Sequence, residues 1–214
     1  RLTRRALKPD VPLIGFAGAP FTVASYMIEG GSSRNLVETK SLMYRNAGAW
    51  HALLDRIVVA TTGYLNAQVA AGAQAIQVFD SWVGCLSDAD YREFVLPHSR
   101  KLIQSIKGVR QLADADSAGS GVRQLADANS LAVPVIHFGA DSGHLLRAMR
   151  EAGSDVIGLD WRTDLDRGWE TVGFDIAVQG NLDPAALFAT PSEIQRRAKA
   201  ILDQAAGRPG HIFN

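Results

Sequence analysis

The sequence predicts an α/β protein: a parallel (β/α)8 TIM barrel, represented by about six of its eight strands and read as one truncated domain over residues 1–214. Three observations point there. Short apolar runs alternate with longer amphipathic segments. The short runs are apolar on both faces, the pattern of parallel strands covered on each side. Polar residues also recur where those runs end, at Asp80-Ser81, His137, Asp160 and Gln179-Asn181. An open doubly wound sheet fits the same alternation. However, no GxGxxG or GxxxxGK[ST] follows the first run, so the usual nucleotide-binding signature of that fold is missing. A barrel gathers its strand ends at a single mouth, which is where the polar ends would meet.

The strands are expected at 11–18 (VPLIGFAG), 75–81 (AIQVFDS), 133–139 (VPVIHFG), 155–161 (DVIGLDW), 176–181 (IAVQGN) and 210–214 (GHIFN). Each is short and bounded by Gly, Pro, Asp or Ser. The chain opens Arg1-Leu2-Thr3-Arg4-Arg5 on a short helical pattern. An apolar helix-like run, Phe21 to Ile28, follows the first strand and ends in Glu29-Gly30-Gly31. The longest helix is expected over 49–71, a pattern that contains Trp50, Leu53, Leu54, Ile57, Val58, Tyr64, Leu65 and Val69. Another starts after Ser87, where SDADYREF places acidic residues in the first turn behind a serine cap. Two more are expected over 144–152 and 192–205, the last entered through Thr190-Pro191. Gly72, Gly108, Gly153 and Gly207 are expected to close helices. The octapeptide GVRQLADA occurs at 108–115 and again at 121–128. It is too short and too local for a solenoid, and it reads as a small duplication in a surface loop.

Composition excludes several function classes. Lys plus Arg and Asp plus Glu both number 22, so the formal net charge is zero and there is no basic footprint for nucleic acid. No apolar run has the length of a membrane span. Cys85 is the sole cysteine, which rules out an intrachain disulfide and points to a reducing compartment, the cytoplasm. There is no initiator methionine or signal peptide, so the sequence is expected to begin inside a longer protein.

Four residues draw attention at the expected mouth. Phe16 and Phe79 come near the ends of two strands, Ser81 ends the second, and Tyr26 follows the first. Together they would give an apolar aromatic floor with two hydroxyls, suited to a large planar or dished ligand. Taken singly, each residue type is ordinarily core.

GFAGAPFTVASYMIEGGSS, AGAQAIQVFDSWVG, FVLPHSRKL, GLDW and VQGNLDPAALFA, in this order and spacing, resemble the uroporphyrinogen decarboxylase family across nearly the whole chain. The resemblance implies a single-domain barrel, usually a homodimer, that needs no cofactor and no metal. Its substrate is a small molecule, uroporphyrinogen III. Removal of the four acetate carboxyls gives coproporphyrinogen III in porphyrin and haem biosynthesis. The resemblance also assigns substrate-binding roles to Tyr26, Ser81, Phe16 and Phe79, with Gly18 at a bend where backbone approaches the ring. The family's arginine-rich RQAGRY loop, its early strand-end aspartate and its LGHG histidine have no counterpart in these 214 residues, so no catalytic residue is assigned. Arg34, after Gly31, is read as a solvated surface arginine.

Two rivals differ in class. A zinc-dependent, corrinoid-linked methyltransferase on the same superfold needs thiolate and imidazole ligands at the mouth. Only Cys85 and His137 are near, a third ligand is lacking, and His137 reads as structural. The other rival is a catalytically incompetent barrel fragment, with or without porphyrinogen binding.

Overall fold

The computed structural model describes residues 1–31, 33, 35–117 and 133–214. Six parallel strands run β1 (Ile14–Gly18), β2 (Ala75–Asp80), β3 (Val135–Gly139), β4 (Val156–Gly158), β5 (Ala177–Gln179) and β6 (His211–Ile212). They pair in the order β1-β2-β3-β4-β5-β6. This order decides between the two architectures. A doubly wound sheet reverses its strand order at a switch point, whereas here every strand pairs with its successor, as in a barrel wall. The described strands form an open arc, with β1 and β6 at its edges.

The arc is strongly curved. Gln179 Nε2 on β5 donates to Gln77 Oε1 on β2 at 3.4 Å, although two strands lie between them. Three strand spacings of about 4.8 Å would hold those side chains well apart in a flat sheet. The contact therefore requires that the inner face curl on itself.

Register sorts each strand residue to a face. Gly18, Phe79, Phe138, Gly158, Gln179 and Ile212 stand side by side across all six strands. With the alternate residues Phe16 and Gln77, they form the concave inner face. The intervening row, Ala17, Val78, His137, Ile157, Val178 and His211, faces the helices. There the apolar core forms, with Ile76, Val78, Val135, Ile157 and Val178 packed among Phe21, Trp50, Leu54, Leu102, Leu145 and Trp169.

The helices are α1 (Leu2–Ala6), α2 (Pro20–Glu29), α3 (Val37–Arg45), α4 (Ala47–Ala70), α5 (Asp88–Asp90), α6 (Leu96–Ser117), α7 (Leu146–Glu151), α8 (Leu165–Val172) and α9 (Pro191–Ala205). Their ends follow from sequence chemistry. Pro20 and Pro191 sit in first turns, where no amide donor is needed. Ser87 accepts from the Asp90 amide at 3.1 Å, and Thr190 accepts from the Glu193 amide at 3.4 Å. Gly30 closes α2 in the left-handed region at φ 66°. Glu29 bridges to the next helix, accepting the Thr39 amide at 3.0 Å and its hydroxyl at 2.9 Å. These bonds, led by the backbone one, hold the Glu29 carboxyl below its ordinary range. None of the helices among the described residues is long and apolar enough to cross a membrane.

Three expectations are corrected. Gly108 does not close a helix: it lies inside α6, where Arg, Gln, Leu and Ala on its C-terminal side sustain the helix through Ser117. For the same reason the first GVRQLADA copy is helical rather than looped, and the second lies outside the described residues. The third correction concerns the polar strand ends. Asp80 and His137 belong to the helix-facing rows and are fully buried, so they do not join the mouth. Two helices were also missed. In α8, Leu165, Trp169 and Val172 recur at helical spacing, yet the segment is only eight residues long. In α3, Thr39 and Met43 are the buried pair.

Candidate functional site

In a parallel sheet every strand's C-terminal end opens on the same side. At that side the inner face carries a row of aromatic rings. Phe16 and Phe79 meet edge to face with centroids 5.9 Å apart, and Phe79 and Phe138 do the same at 5.9 Å. Phe16 is 60% exposed, a large value for a strand phenylalanine, while Phe79 and Phe138 are half-buried. Gly158 makes room for the row, since a Cβ there would lie 2.8 Å from the Phe138 ring. The structure thus brings Phe16 and Phe79 together as expected and adds Phe138. Sequence reasoning missed Phe138, although it stands in VIHFG at the same strand position as Phe79 in AIQVFD.

Gly18 has a local packing reason as well: a Cβ would come 2.9 Å from Val23 Cγ2 of α2, so its absence lets α2 settle against the end of β1. Tyr26, on α2, is 54% exposed, and its ring stands edge-on to Trp82 at 5.9 Å. Ser81 occupies the turn immediately after β2, between Asp80 and Trp82. Asp80 Oδ1 accepts from the Thr22 hydroxyl at 3.1 Å, and its Oδ2 faces His137 Nε2 at 3.6 Å. Tyr91, fully buried nearby, has its phenol pushed well above its ordinary range by burial and then by the charge of Asp80.

The β4 end supplies a cation that sequence reasoning passed over. Asp160, nearly buried, accepts the Arg162 amide at 2.8 Å, the Asp141 amide at 3.0 Å, and Arg162 Nη1 at 3.0 and 2.8 Å. The Arg162 guanidinium lies 4.4 Å from the Trp161 ring centroid. Asn181 braces this loop by donating to the Asp160 carbonyl at 3.1 Å. The signal was present as the Arg directly after GLDW. Arg34 lies outside the described residues.

Cys85 sits in a short turn (Val83–Cys85), half-buried, and burial pushes its thiol up. Among the described residues, no three His, Cys, Asp or Glu side chains converge as a metal-ligand set. His137 is buried as a structural histidine would be, but neither ring nitrogen makes a hydrogen bond among the described residues.

A curved parallel wall with an aromatic row on its inner face, and with Tyr26, Ser81 and the Asp160-held Arg162 on the segments that follow its strands, defines a protein of the barrel class. Comparison with known proteins narrows this. The family model described as uroporphyrinogen decarboxylase (URO-D) matches residues 1–214, and the chain belongs to that family. A uroporphyrinogen decarboxylase of Carboxydothermus hydrogenoformans is 52% identical over 214 residues, covering 100% of this chain and 55% of the relative. One from Koribacter versatilis is 51% identical over 204 residues, covering 95% of this chain and 52% of the relative. The chain thus spans about half the length of the curated relatives it matches. Among solved structures, a methyltransferase from Methanosarcina mazei superposes with a TM-score of 0.74 at 20% identity, over 99% of this chain and 55% of that one. At that identity the likeness speaks for the fold alone.

Proposed function

We propose that these residues form the larger part of the barrel of a uroporphyrinogen decarboxylase, which converts the four acetate side chains of uroporphyrinogen III to methyl groups and yields coproporphyrinogen III. The observation that carries this reading is the family match over all of residues 1–214, at about half identity to relatives of that name. The mouth fits the chemistry. A porphyrinogen is a broad apolar macrocycle ringed by carboxylates, and the Phe16, Phe79 and Phe138 row offers it a floor. Tyr26 and Ser81 would donate to its carboxylates or orient a catalytic neighbour. A pyrrole acetate releases carbon dioxide once the ring is protonated at the adjacent carbon. The bond between the acetate methylene and the carboxyl carbon breaks, its electron pair neutralises the cationic ring as an exocyclic double bond, and protonation of that methylene with loss of the added ring proton leaves the methyl group. The ring is its own electron sink, so the reading assigns no cofactor (contrast). A proton donor and a carboxylate beside the pyrrole N–H groups are still required, and Tyr26 and Ser81 supply neither. In this reading the protein acts in the cytoplasm as a homodimer.

The test is anaerobic assay of the natural gene product with uroporphyrinogen III. Coproporphyrinogen III should accumulate with release of four equivalents of carbon dioxide, by the stoichiometry of the reaction. Purified, folded protein that leaves uroporphyrinogen III unchanged would remove the proposal, and sizing of the same preparation checks the dimer.

A further inference from the structure

The functional reading leaves the buried Asp80 carboxylate unused. It is the last residue of β2 and turns away from the mouth, yet Ser81 follows it directly. Thr22 and Tyr26 are one helical turn apart on α2, so they lie along the same side of that helix. Asp80 and Trp82 are two residues apart and flank Ser81. The two pairs meet: Thr22 Oγ1 donates to Asp80 Oδ1 at 3.1 Å below, and the Tyr26 ring stands edge-on to Trp82 at 5.9 Å above. At the base, Ala19 N donates to Phe79 O at 2.8 Å. We infer that Asp80, through Thr22, is a positioning residue that clamps α2 to the end of β2 and so fixes the Tyr26 hydroxyl relative to Ser81.

The chemistry of the clamp explains why it holds one geometry. Asp80 is fully buried, and among the described residues Oδ1 has the Thr22 hydroxyl as its hydrogen-bond donor while Oδ2 has none, facing His137 Nε2 at 3.6 Å. A buried carboxylate is costly to leave without a donor. Rotation or sliding of α2 would break the Thr22 bond and is opposed for that reason. Carboxylate and hydroxyl thus tie β2 to α2, the two elements from which Ser81 and Tyr26 extend.

This inference rests on the proposed decarboxylase reading for its kinetic test but has a second readout that does not. In the natural gene product, Thr22→Val keeps side-chain shape and removes the donor. Its kcat/KM for uroporphyrinogen should fall about five- to tenfold, the scale of one ordinary net hydrogen bond, because Tyr26 is displaced rather than removed. Thr22→Ser should restore it. In a Tyr26→Phe background Thr22→Val should cost nothing further, because what it positions is already gone. A merely structural role would lower activity equally in both backgrounds. If Thr22→Val does not fold, Trp82→Leu probes the same clamp from its outer contact and should show the same non-additivity with Tyr26→Phe. Independently of activity, 5-fluorotryptophan labelling should show the Trp82 resonance, assigned through its loss in Trp82→Leu, shifted in Thr22→Val, with Trp50 and Trp169 unmoved. An unshifted Trp82 resonance, or additive losses in the kinetic cycle, overturns the clamp. Wild-type protein without decarboxylase activity, but with the Trp82 shift, overturns the functional reading and leaves the clamp standing.

Discussion

At the scale of single residues, the proposed site relies on the hydroxyls of Tyr26 and Ser81. Tyr26 is more than half exposed and its phenol makes no structural hydrogen bond among the described residues, so Tyr26→Phe should leave thermal melting unchanged. In the natural gene product it should lower kcat/KM by about 5- to 150-fold, corresponding to one hydrogen bond of about 1–3 kcal/mol to a charged partner. Ser81→Ala should act in the same direction and more weakly, because water can replace a small hydroxyl. Steady-state kinetics beside a melting curve check both. Residue identity was legible in the sequence to different depths. Phe16 and Phe79 could be placed on one floor because strand alternation fixes faces. Asp80 and His137 could not: a polar residue near a strand end reads as part of the mouth, and only the register shows that both turn into the helix layer.

At the scale of elements, the aromatic row and the helix pairs can be tested separately. Gly158→Ala would place a methyl 2.8 Å from the Phe138 ring, so that ring must move. We expect a loss of about 1–3 kcal/mol in stability, as for other overpacked cores, and weakened macrocycle binding, measured by denaturant titration and by quenching of a bound porphyrin. The α4–α6 pair carries a pH-sensitive contact. His51 Nδ1 and His98 Nε2 are 2.8 Å apart, His98 Nδ1 faces Asp55 Oδ1 at 3.4 Å, and Lys101 Nζ holds Asp55 at 2.8 Å. Burial first, with His51 and Lys101 assisting, lowers the His98 pKa against the pull of Asp55. The unfolded chain therefore binds a proton more readily at this site than the folded one. His98 favours folding fully above the ordinary histidine range, and that contribution declines as pH falls below about 6.5. His98→Gln should flatten the fall in stability between about pH 7 and pH 5.5, read from urea midpoints across that window. Strand existence was legible throughout because short apolar runs bounded by Gly and Pro leave little else. Strand length was not. The runs read at 155–161 and 176–181 contain only Val156–Gly158 and Ala177–Gln179 as strand; Leu159 N still donates to Gln179 O and Gly180 N to Ile212 O, and beyond them Asp160 and Asn181 turn into the loop that holds Arg162.

At the scale of the molecule, the fold class followed from alternation, while the choice of a barrel over a doubly wound sheet rested on a missing glycine motif and on polar strand ends, of which Asp80 and His137 face the helices instead, and became firm only with the strand order. Residues 1–214 on their own should show no measurable decarboxylase turnover. The family's early aspartate, arginine loop and LGHG histidine have no counterpart in them, and groups that act as a unit in electrostatic stabilisation fail together. Anaerobic assay of this segment beside the natural gene product checks it, and turnover within tenfold would show the chemistry to lie in other residues. The edge of the arc behaves in its own way. Gln68 of α4 places its side-chain amide against β1, with Oε1 accepting from Phe16 N at 2.9 Å and Nε2 donating to Phe16 O at 2.9 Å. It imitates the peptide group of an adjoining strand. Any backbone that comes to lie along β1 at Phe16 must therefore exchange for Gln68 rather than add to a vacant ladder. At Phe16 the new hydrogen bonds would replace those to Gln68 one for one, so pairing at this position is set by side-chain packing and by the rotamer freedom that Gln68 regains. A strand that pairs at this position gains most where its side chains match the Phe16 ring, which is 60% exposed.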